Sequence, residues 1–271
     1  MKVAIIIILG LLGIVASARD GRRRQPHQTR PHQPIGGTWM HLYEAHNFQG
    51  MPYRLMRPYN FDSHQKYPVI ISLHGAGGKG TDNRKQLKIW NRQLAEENVR
   101  KKYPCYVLAP QATELWNKHH FMKIKAIIKS LPSVDEDRIY ILGASMGGHG
   151  TYIMIQIEPN YFAAAAPSCG SGLRQTEEFI DPRKIKGLPI WAFHGSEDRL
   201  CPYARERALF EAMKRLGGNM KLTTWKGDKH DIGAKFIPGA DNGITEMSSD
   251  RCDPEPDFLK WLFSKKRKKQ Q

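Results

Sequence analysis

The chain has 271 residues, 40% of them hydrophobic and 25% charged, with 42 Lys and Arg against 26 Asp and Glu for a formal net charge of +16. That composition is ordinary for a globular protein and excludes a collagen-like or wholly disordered chain; the length suits one α/β domain with a sizeable core. The charge invites a nucleic-acid reading, but ten of the sixteen net positive charges sit at the two ends, and residues 35–264 keep only +6.

The chain opens with Lys2, an apolar run from Val3 to Val15 and then Ala16-Ser17-Ala18, the three-part layout of a secretory signal peptide cut after Ala18. The run is shorter than the roughly 20 residues a membrane-spanning helix needs. A secreted or periplasmic protein with no membrane span is therefore expected. Residues 19–34 carry five Arg against Asp20 and read as a basic disordered arm; residues 265–271, opening with KKRKK, read as a basic C-terminal tail. Such ends bind polyanions weakly and in a salt-dependent way. No nucleic-acid-binding motif accompanies them, so no specific nucleic-acid partner is expected.

Between the ends, residues 35–264 read as one domain. TWMHLYEA and MPYRLMRP, separated by a loop with Gly50, predict an antiparallel pair at a sheet edge. Buried strands are predicted at PVIISLHG (68–75), CYVLAP (105–110), RIYILG (138–143), FAAAAP (162–167), PIWAFHG (189–195) and KLTTW (221–225). Helices separate most of them. Leu87, Trp90 and Leu94 recur at helical spacing after a Thr81-Asp82-Asn83 start that can cap the helix; Phe121, Ile124, Ile128 and Leu131 do the same, as do Tyr203, Arg207, Phe210 and Lys214 after Pro202. This alternation predicts a mostly parallel sheet covered on both faces. Four cysteines in an exported chain allow three pairings. Cys105 is expected to stay a buried thiol, and Cys201 and Cys252, in loop-like sequence, are expected to pair.

The stretch GASMGGHG (143–150) follows directly on the strand RIYIL and precedes the helix-compatible TYIMIQIE. A serine on a sharp strand-to-helix turn is presented as a nucleophile, and residues two before and two after it must lack side chains to let the backbone pass. Gly143 and Gly147 supply that room around Ser145. A serine hydroxyl needs a base, and the base an orienting acid. In the hydrolases whose strand–turn–helix serine motif this stretch resembles, these follow in the order serine, acid, histidine. That order singles out His230 as the base, with Asp198, just past a buried strand, as the acid. Glu197 is the fallback, and Asp228 reads as a turn former.

HGAGG (74–78) ends the first central strand with small residues, as backbone N–H groups require if they are to approach an oxyanion. The N–H groups of Ala76 and Met146 are the expected oxyanion hole. Neither phosphate-binding glycine motif occurs there. No H-E-x-x-H or paired C-x-x-C appears, and the acidic cluster Asp250, Asp253, Glu255, Asp257 misses the spacing of a calcium loop. No metal and no cofactor are expected. Trp116 and Trp225 read as core residues.

LHGAGGKGTDN, APQATELW, RIYILGASMGGHGT, FAAAAPSCGSG and PIWAFHGSEDRLCP together resemble the α/β-hydrolase superfamily. Within it they are most similar to the secreted carboxylesterase branch of feruloyl and acetylxylan esterases, polyhydroxybutyrate depolymerases and predicted peptidases. The resemblance spans residues 38–263. It implies an eight-stranded, mostly parallel sheet and a Ser-Asp-His triad matched by Ser145, Asp198 and His230, acting on carboxylic esters, including phenolic or polysaccharide-linked acyl esters. A peptidase of the same fold and a catalytically silent polyanion-binding protein are the rival readings. One departure stands out: KFIPGADNGITEMSSDRCDPEPD, between His230 and the last helix, is an insertion expected to cover part of the active-site face.

Overall fold

The apolar runs become strands in the computed structural model, which describes residues 38–172 and 179–267. The expected signal peptide and basic arm lie outside the described residues, as do residues 268–271 of the tail. The strands are β1 (Tyr43–Phe48), β2 (Met51–Met56), β3 (Tyr67–Leu73), β4 (Tyr106–Pro110), β5 (Val134–Ala144), β6 (Ala164–Ser168), β7 (Ile190–Gly195), β8 (Met220–Trp225) and β9 (Gly243–Met247). They form one sheet in the order β1-β2-β4-β3-β5-β6-β7-β8-β9. Pairings from β4 through β8 are parallel, whereas β1, β2 and β9 join antiparallel at the edges. The helices are α1 (Ile89–Leu94), α2 (Glu97–Lys102), α3 (Lys118–Ser130), α4 (Met146–Ile157), α5 (Pro182–Ile185), α6 (Tyr203–Arg215) and α7 (Phe258–Ser264).

Both faces of the sheet are covered, as parallel strands demand. Val69, Ile71 and Leu73 of β3 point into one cluster with Phe121, Ile124 and Ile128 of α3 and Phe210 of α6. Ile70 points into the other, with Trp90, Phe193, Trp225 and Trp261. Each such side chain contributes roughly 1.5–3 kcal/mol of burial. Trp116 and Trp225 are core residues, each 1% exposed. The register pairs Leu73 with Gly143, Ala144 with Ser168 and Gly195 with Trp225. The carboxyl ends of β3, β5, β6, β7 and β8 are thereby aligned, and the loops that follow them gather on one edge.

Three expectations are corrected. The sheet has nine strands, not eight, because Gly243–Met247 of the insertion pairs antiparallel with β8. Phe236 of the same insertion is buried and packs on Trp90, Phe193 and Phe258, so much of the segment extends the sheet and core. Helix α1 starts at Ile89, not after Thr81-Asp82-Asn83: the Asp82 side chain accepts from the N–H groups of Arg84 and Lys85, and Asn83 has φ 51°, which no helix continues through. Cys201 and Cys252 do not pair; all four cysteines are free and buried. Cys201 follows the carboxyl end of β7, whereas the Cys252 thiol lies 3.4 Å from the carbonyl oxygen of Met220 at the amino end of β8. A strand of this length, at about 3.3 Å per residue, separates them far beyond the roughly 7 Å a disulfide spans.

At the C-terminus, Lys265 forms an ion pair with Asp253 and accepts at its carbonyl from the Tyr140 hydroxyl, and Arg267 pairs with Asp137. The first residues of the basic tail are thus docked on the domain.

Burial pushes the thiols of Cys105 and Cys201 up to about 12. The native protein is therefore expected to be inert to a thiol-reactive chromogen at neutral pH, and all four cysteines to react in denaturant without reductant. Recovery of only two thiols in denaturant would reveal a disulfide.

Candidate active site

Ser145 stands between β5 and α4 with φ 58° and ψ −122°, backbone angles that a non-glycine residue rarely adopts and that cost on the order of 1–3 kcal/mol. Its N–H donates to Ser168 O at 2.9 Å, and its carbonyl accepts from His149 N–H at 2.9 Å. The turn is held by close main-chain approach. A Cβ on Gly147 would lie 2.0 Å from Leu73 O, one on Gly143 2.7 Å from the same atom, and one on Gly148 2.4 Å from Ser168 O.

Asp198 lies in the turn after β7, its N–H donating to Gly195 O at 3.2 Å. Its side chain is fully buried. Oδ1 accepts from the N–H groups of Leu200 and Cys201, both at 2.9 Å, and Oδ2 from His230 Nδ1 at 2.7 Å. Burial alone would raise the carboxyl pKa, but hydrogen bonds from His194, His230 and the Cys201 N–H hold it well below the usual carboxylate range.

The other face of the His230 ring edge meets the serine, with Nε2 2.8 Å from Ser145 Oγ. A proton on Nδ1, given to Asp198, leaves Nε2 free to accept from the Ser145 hydroxyl. The loop carrying His230 is drawn in by Glu197 N–H, which donates to Asp228 O at 2.8 Å. It packs on bare backbone: a Cβ on Gly195 would lie 2.3 Å from Lys229 O. Glu197 itself is exposed, and Asp228 pairs with Lys235.

The loop after β3 also reaches the serine. A Cβ on Gly75 would lie 3.4 Å from Ser145 Cβ. Ala76 opens a 3₁₀ turn, Ala76–Gly78, and Met146 is the first residue of α4; such first-turn N–H groups have no partner within their own helix. His74, which the sequence reasoning missed, braces this edge together with Trp116. His74 Nε2 accepts from Ala112 N–H at 3.0 Å while Nδ1 lies 2.8 Å from Gly75 O, and Trp116 Nε1 donates to His74 O. Burial lowers the His74 pKa to about 4, which suits a ring that must be neutral to accept. His194, four residues before Asp198, touches that carboxylate from behind, its Nε2 3.4 Å from Asp198 Oδ2.

Two sets of potential ligand atoms occur among the described residues: Cys169, His194 and Asp198, and Asp198, Cys201 and His230. Both share Asp198, whose two oxygens already accept hydrogen bonds, and burial pushes both thiols up. A cavity of about 410 Å³ lined by Lys66, Lys125, Lys129, Ile139 and Tyr161 lies toward the amino end of β5, apart from Ser145. No described helix is long and apolar enough to cross a membrane.

The sheet order and the serine at the β5–α4 turn define an α/β-hydrolase. Within that class the chain belongs to the dienelactone hydrolase family, which residues 88–236 match. A thermostable esterase of known structure is 31% identical, with a TM-score of 0.66 over 84% of this chain; the chain covers 64% of that protein's length. The feruloyl esterase module of Clostridium thermocellum, solved with sinapinate, is 17% identical over 69% of this chain and 81% of its own, with a TM-score of 0.54. The acylaminoacyl peptidase of Pyrococcus horikoshii is 17% identical over 71% of this chain and 39% of its own, with a TM-score of 0.52. The latter two share the fold.

The elbow's steric constraint is testable by stability. Gly147→Ala is expected to cost on the order of 3 kcal/mol in urea unfolding, because the clash is with main chain that cannot move aside. Gly187→Ala, where a Cβ meets nothing within 4 Å, is expected to stay within about 0.5 kcal/mol of wild type.

Proposed function

We propose that the protein is an exported serine esterase that hydrolyses carboxylic esters through an acyl-enzyme. The observation that carries this reading is the unbroken chain from Ser145 Oγ to His230 Nε2 at 2.8 Å and from His230 Nδ1 to Asp198 Oδ2 at 2.7 Å, with the serine on a strained turn. His230 Nε2 takes the Ser145 proton as Oγ bonds to the ester carbonyl carbon. The displaced carbonyl electron pair moves to oxygen, where the Ala76 and Met146 N–H groups stabilise it. Collapse breaks the bond to the alcohol oxygen, which leaves with the proton from His230. Water then attacks the acyl-enzyme, giving its proton to His230, and the acid departs as Ser145 regains its hydrogen. Asp198 stays ionised throughout, fixing the tautomer and stabilising the imidazolium.

The family and the 31% identical esterase support hydrolysis of esters; phenolic and polysaccharide-linked acyl esters are the first candidates. In the same proposal residues 1–18 direct export and are removed, residues 35–264 form the catalytic domain, and the basic ends hold the enzyme weakly to polyanions. A peptidase would use the same steps with an amine leaving group. Turnover of a nitrophenyl ester but not of an aminoacyl anilide is the expected result, and the reverse would favour the peptidase.

Ser145→Ala is expected to lower kcat by about 10⁴-fold or more without unfolding the chain, and an active-site-directed fluorophosphonate to label wild type at Ser145 alone. Activity surviving the substitution, with labelling elsewhere, would sink the assignment.

The acid is tested separately. Asp198→Asn should keep the shape of the site but favour the wrong tautomer of His230, with a loss on the order of 10⁴-fold, the precedent in a serine protease. Glu197→Gln, one residue away but exposed, is expected to cost less than about tenfold under the same assay. A crippled Glu197→Gln beside a mild Asp198→Asn would shift the acid by one position.

A further inference from the structure

On the side of Asp198 away from His230 lies a second imidazole that the esterase chemistry leaves without a task. His194, near the end of β7, is fully buried. Its Nε2 is 2.7 Å from Cys201 O and 3.4 Å from Asp198 Oδ2, a bifurcated contact that aligns the ring with the acid's reactive oxygen. Its Nδ1 is 3.4 Å from Oε2 of Glu206, a fully buried carboxyl in the first turn of α6. The other Glu206 oxygen accepts from the buried Tyr152 hydroxyl of α4. The remaining titratable groups around the ring are Tyr203, edge-on at 5.7 Å, and the thiols of Cys169 and Cys201, with Arg205 close enough to act on Cys201. A line of groups thus runs inward from solvent: Ser145, His230, Asp198, His194, Glu206, Tyr152.

The chemistry of the partners places the protons. A carbonyl oxygen only accepts, so His194 Nε2 must carry a hydrogen. Burial pushes the Tyr152 phenol well above its ordinary range, as does its carboxylate neighbour, so it remains a donor to Glu206. That leaves one proton between His194 Nδ1 and Glu206 Oε2. Burial alone would strip it from the ring, but the Asp198 and Glu206 carboxyls and the Cys201 carbonyl outweigh burial and raise the His194 pKa to about 9.

We propose that His194 is a positioning residue for the esterase reaction: a buried imidazolium, held by Glu206 and Tyr152, that pins Asp198 from behind and keeps Oδ2 aimed at His230. The proposal rests on the triad reading above. Its electrostatic consequence has a definite sign. A positive charge behind Asp198 weakens the pull of the carboxylate on a proton at His230, which keeps the base free to accept from Ser145. Removing that charge leaves the surroundings of Asp198 more negative, whether or not Glu206 then takes up a proton. A proton is then held more tightly on His230, and the enzyme needs a higher pH to become active.

The test uses the mature protein and a nitrophenyl ester. His194→Gln is expected to lower kcat about 10–100-fold, the usual range for a residue acting through another. KM should stay within about twofold, and the acid limb of kcat/KM should move to higher pH. A role in packing alone would lower stability and leave the acid limb in place; a folded variant with kcat within twofold of wild type and an unmoved acid limb would overturn the proposal. Should His194→Gln fail to fold, ¹⁵N-labelled imidazole spectra of the Ser145→Ala protein answer the question directly. Both His194 nitrogens are expected to be protonated at pH 7.5, and Glu206→Gln in that background is expected to strip the proton from Nδ1. A bare His194 nitrogen at pH 7.5 would overturn the proposal whatever the kinetics. Full activity in Ser145→Ala would instead overturn the triad reading and leave the His194 spectra to be judged alone.

Discussion

The site depends first on a place where main chains touch with no side chains between them. Leu73 at the end of β3, Gly143 and Gly147 on either side of Ser145, and Gly148 against Ser168 and Gly170 leave room for hydrogen and nothing larger. Neighbouring parallel strands set this distance: β3, β5 and β6 are adjacent in the sheet, and their carboxyl ends are in register. The strained angles of Ser145 are unfavourable locally, and two buried layers of apolar side chains on opposite sheet faces offset them. Ser145 keeps these angles because the core beneath it permits no relaxed alternative.

How far such an arrangement is legible in sequence depends on whether its cause is local. The central strands were legible because strands buried on both faces must be almost wholly apolar, as VIISL, with Ser72 its one polar residue, and IYIL are. Helices α3 and α6 were legible from spacing. Ser145 was legible because its glycines answer a steric rule at fixed offsets, and Asp198 and His230 because chain order and strand ends narrow the choices. Strand β9 was not. GITEM is short, has its two polar residues side by side and is mostly exposed, and it is a strand only because β8 offers an open edge. The failed cap at Thr81-Asp82-Asn83 has the same lesson in reverse: Asp82 folds its side chain onto the next N–H groups to make a turn, a choice those residue types leave equally open. For Cys201 and Cys252, loop-like surroundings carried no information about the strand length between them.

The two histidines that the sequence reasoning passed over show why buried polar residues are the hardest to read. His74 follows directly on β3 and His194 is the last residue but one of β7, each between an apolar residue and a glycine at the carboxyl end of a parallel strand, and both are fully buried. Burial acts on both in the same direction, against the charged ring. His74 faces a backbone N–H, a carbonyl and the Trp116 ring, and burial wins: its pKa falls to about 4. His194 faces two carboxyls and a carbonyl, and they win: its pKa rises to about 9. The same dipeptide in the same local setting therefore takes opposite protonation states, decided by Ala112 in one case and by Asp198 and Glu206 in the other. Ala112 lies beyond the next strand and Glu206 on α6, while Asp198 stands only four residues from His194, so a local pattern held just part of the difference.

The glycine that follows each of these histidines completes the same design on both sides of Ser145. Gly75 lets the loop after β3 come up against Ser145, and Gly195 lets the loop carrying His230 close over the end of β7. Each histidine anchors its strand end from within, and each glycine admits a neighbouring main chain from without. A larger residue at Gly75 would crowd the serine, and one at Gly195 would push away the backbone of Asp228 and Lys229, and His230 with it. The distance from His230 Nε2 to Ser145 Oγ is therefore set by backbone contacts directly beside the two residues, and by the hydrogen bonds that hold the β7 turn in shape.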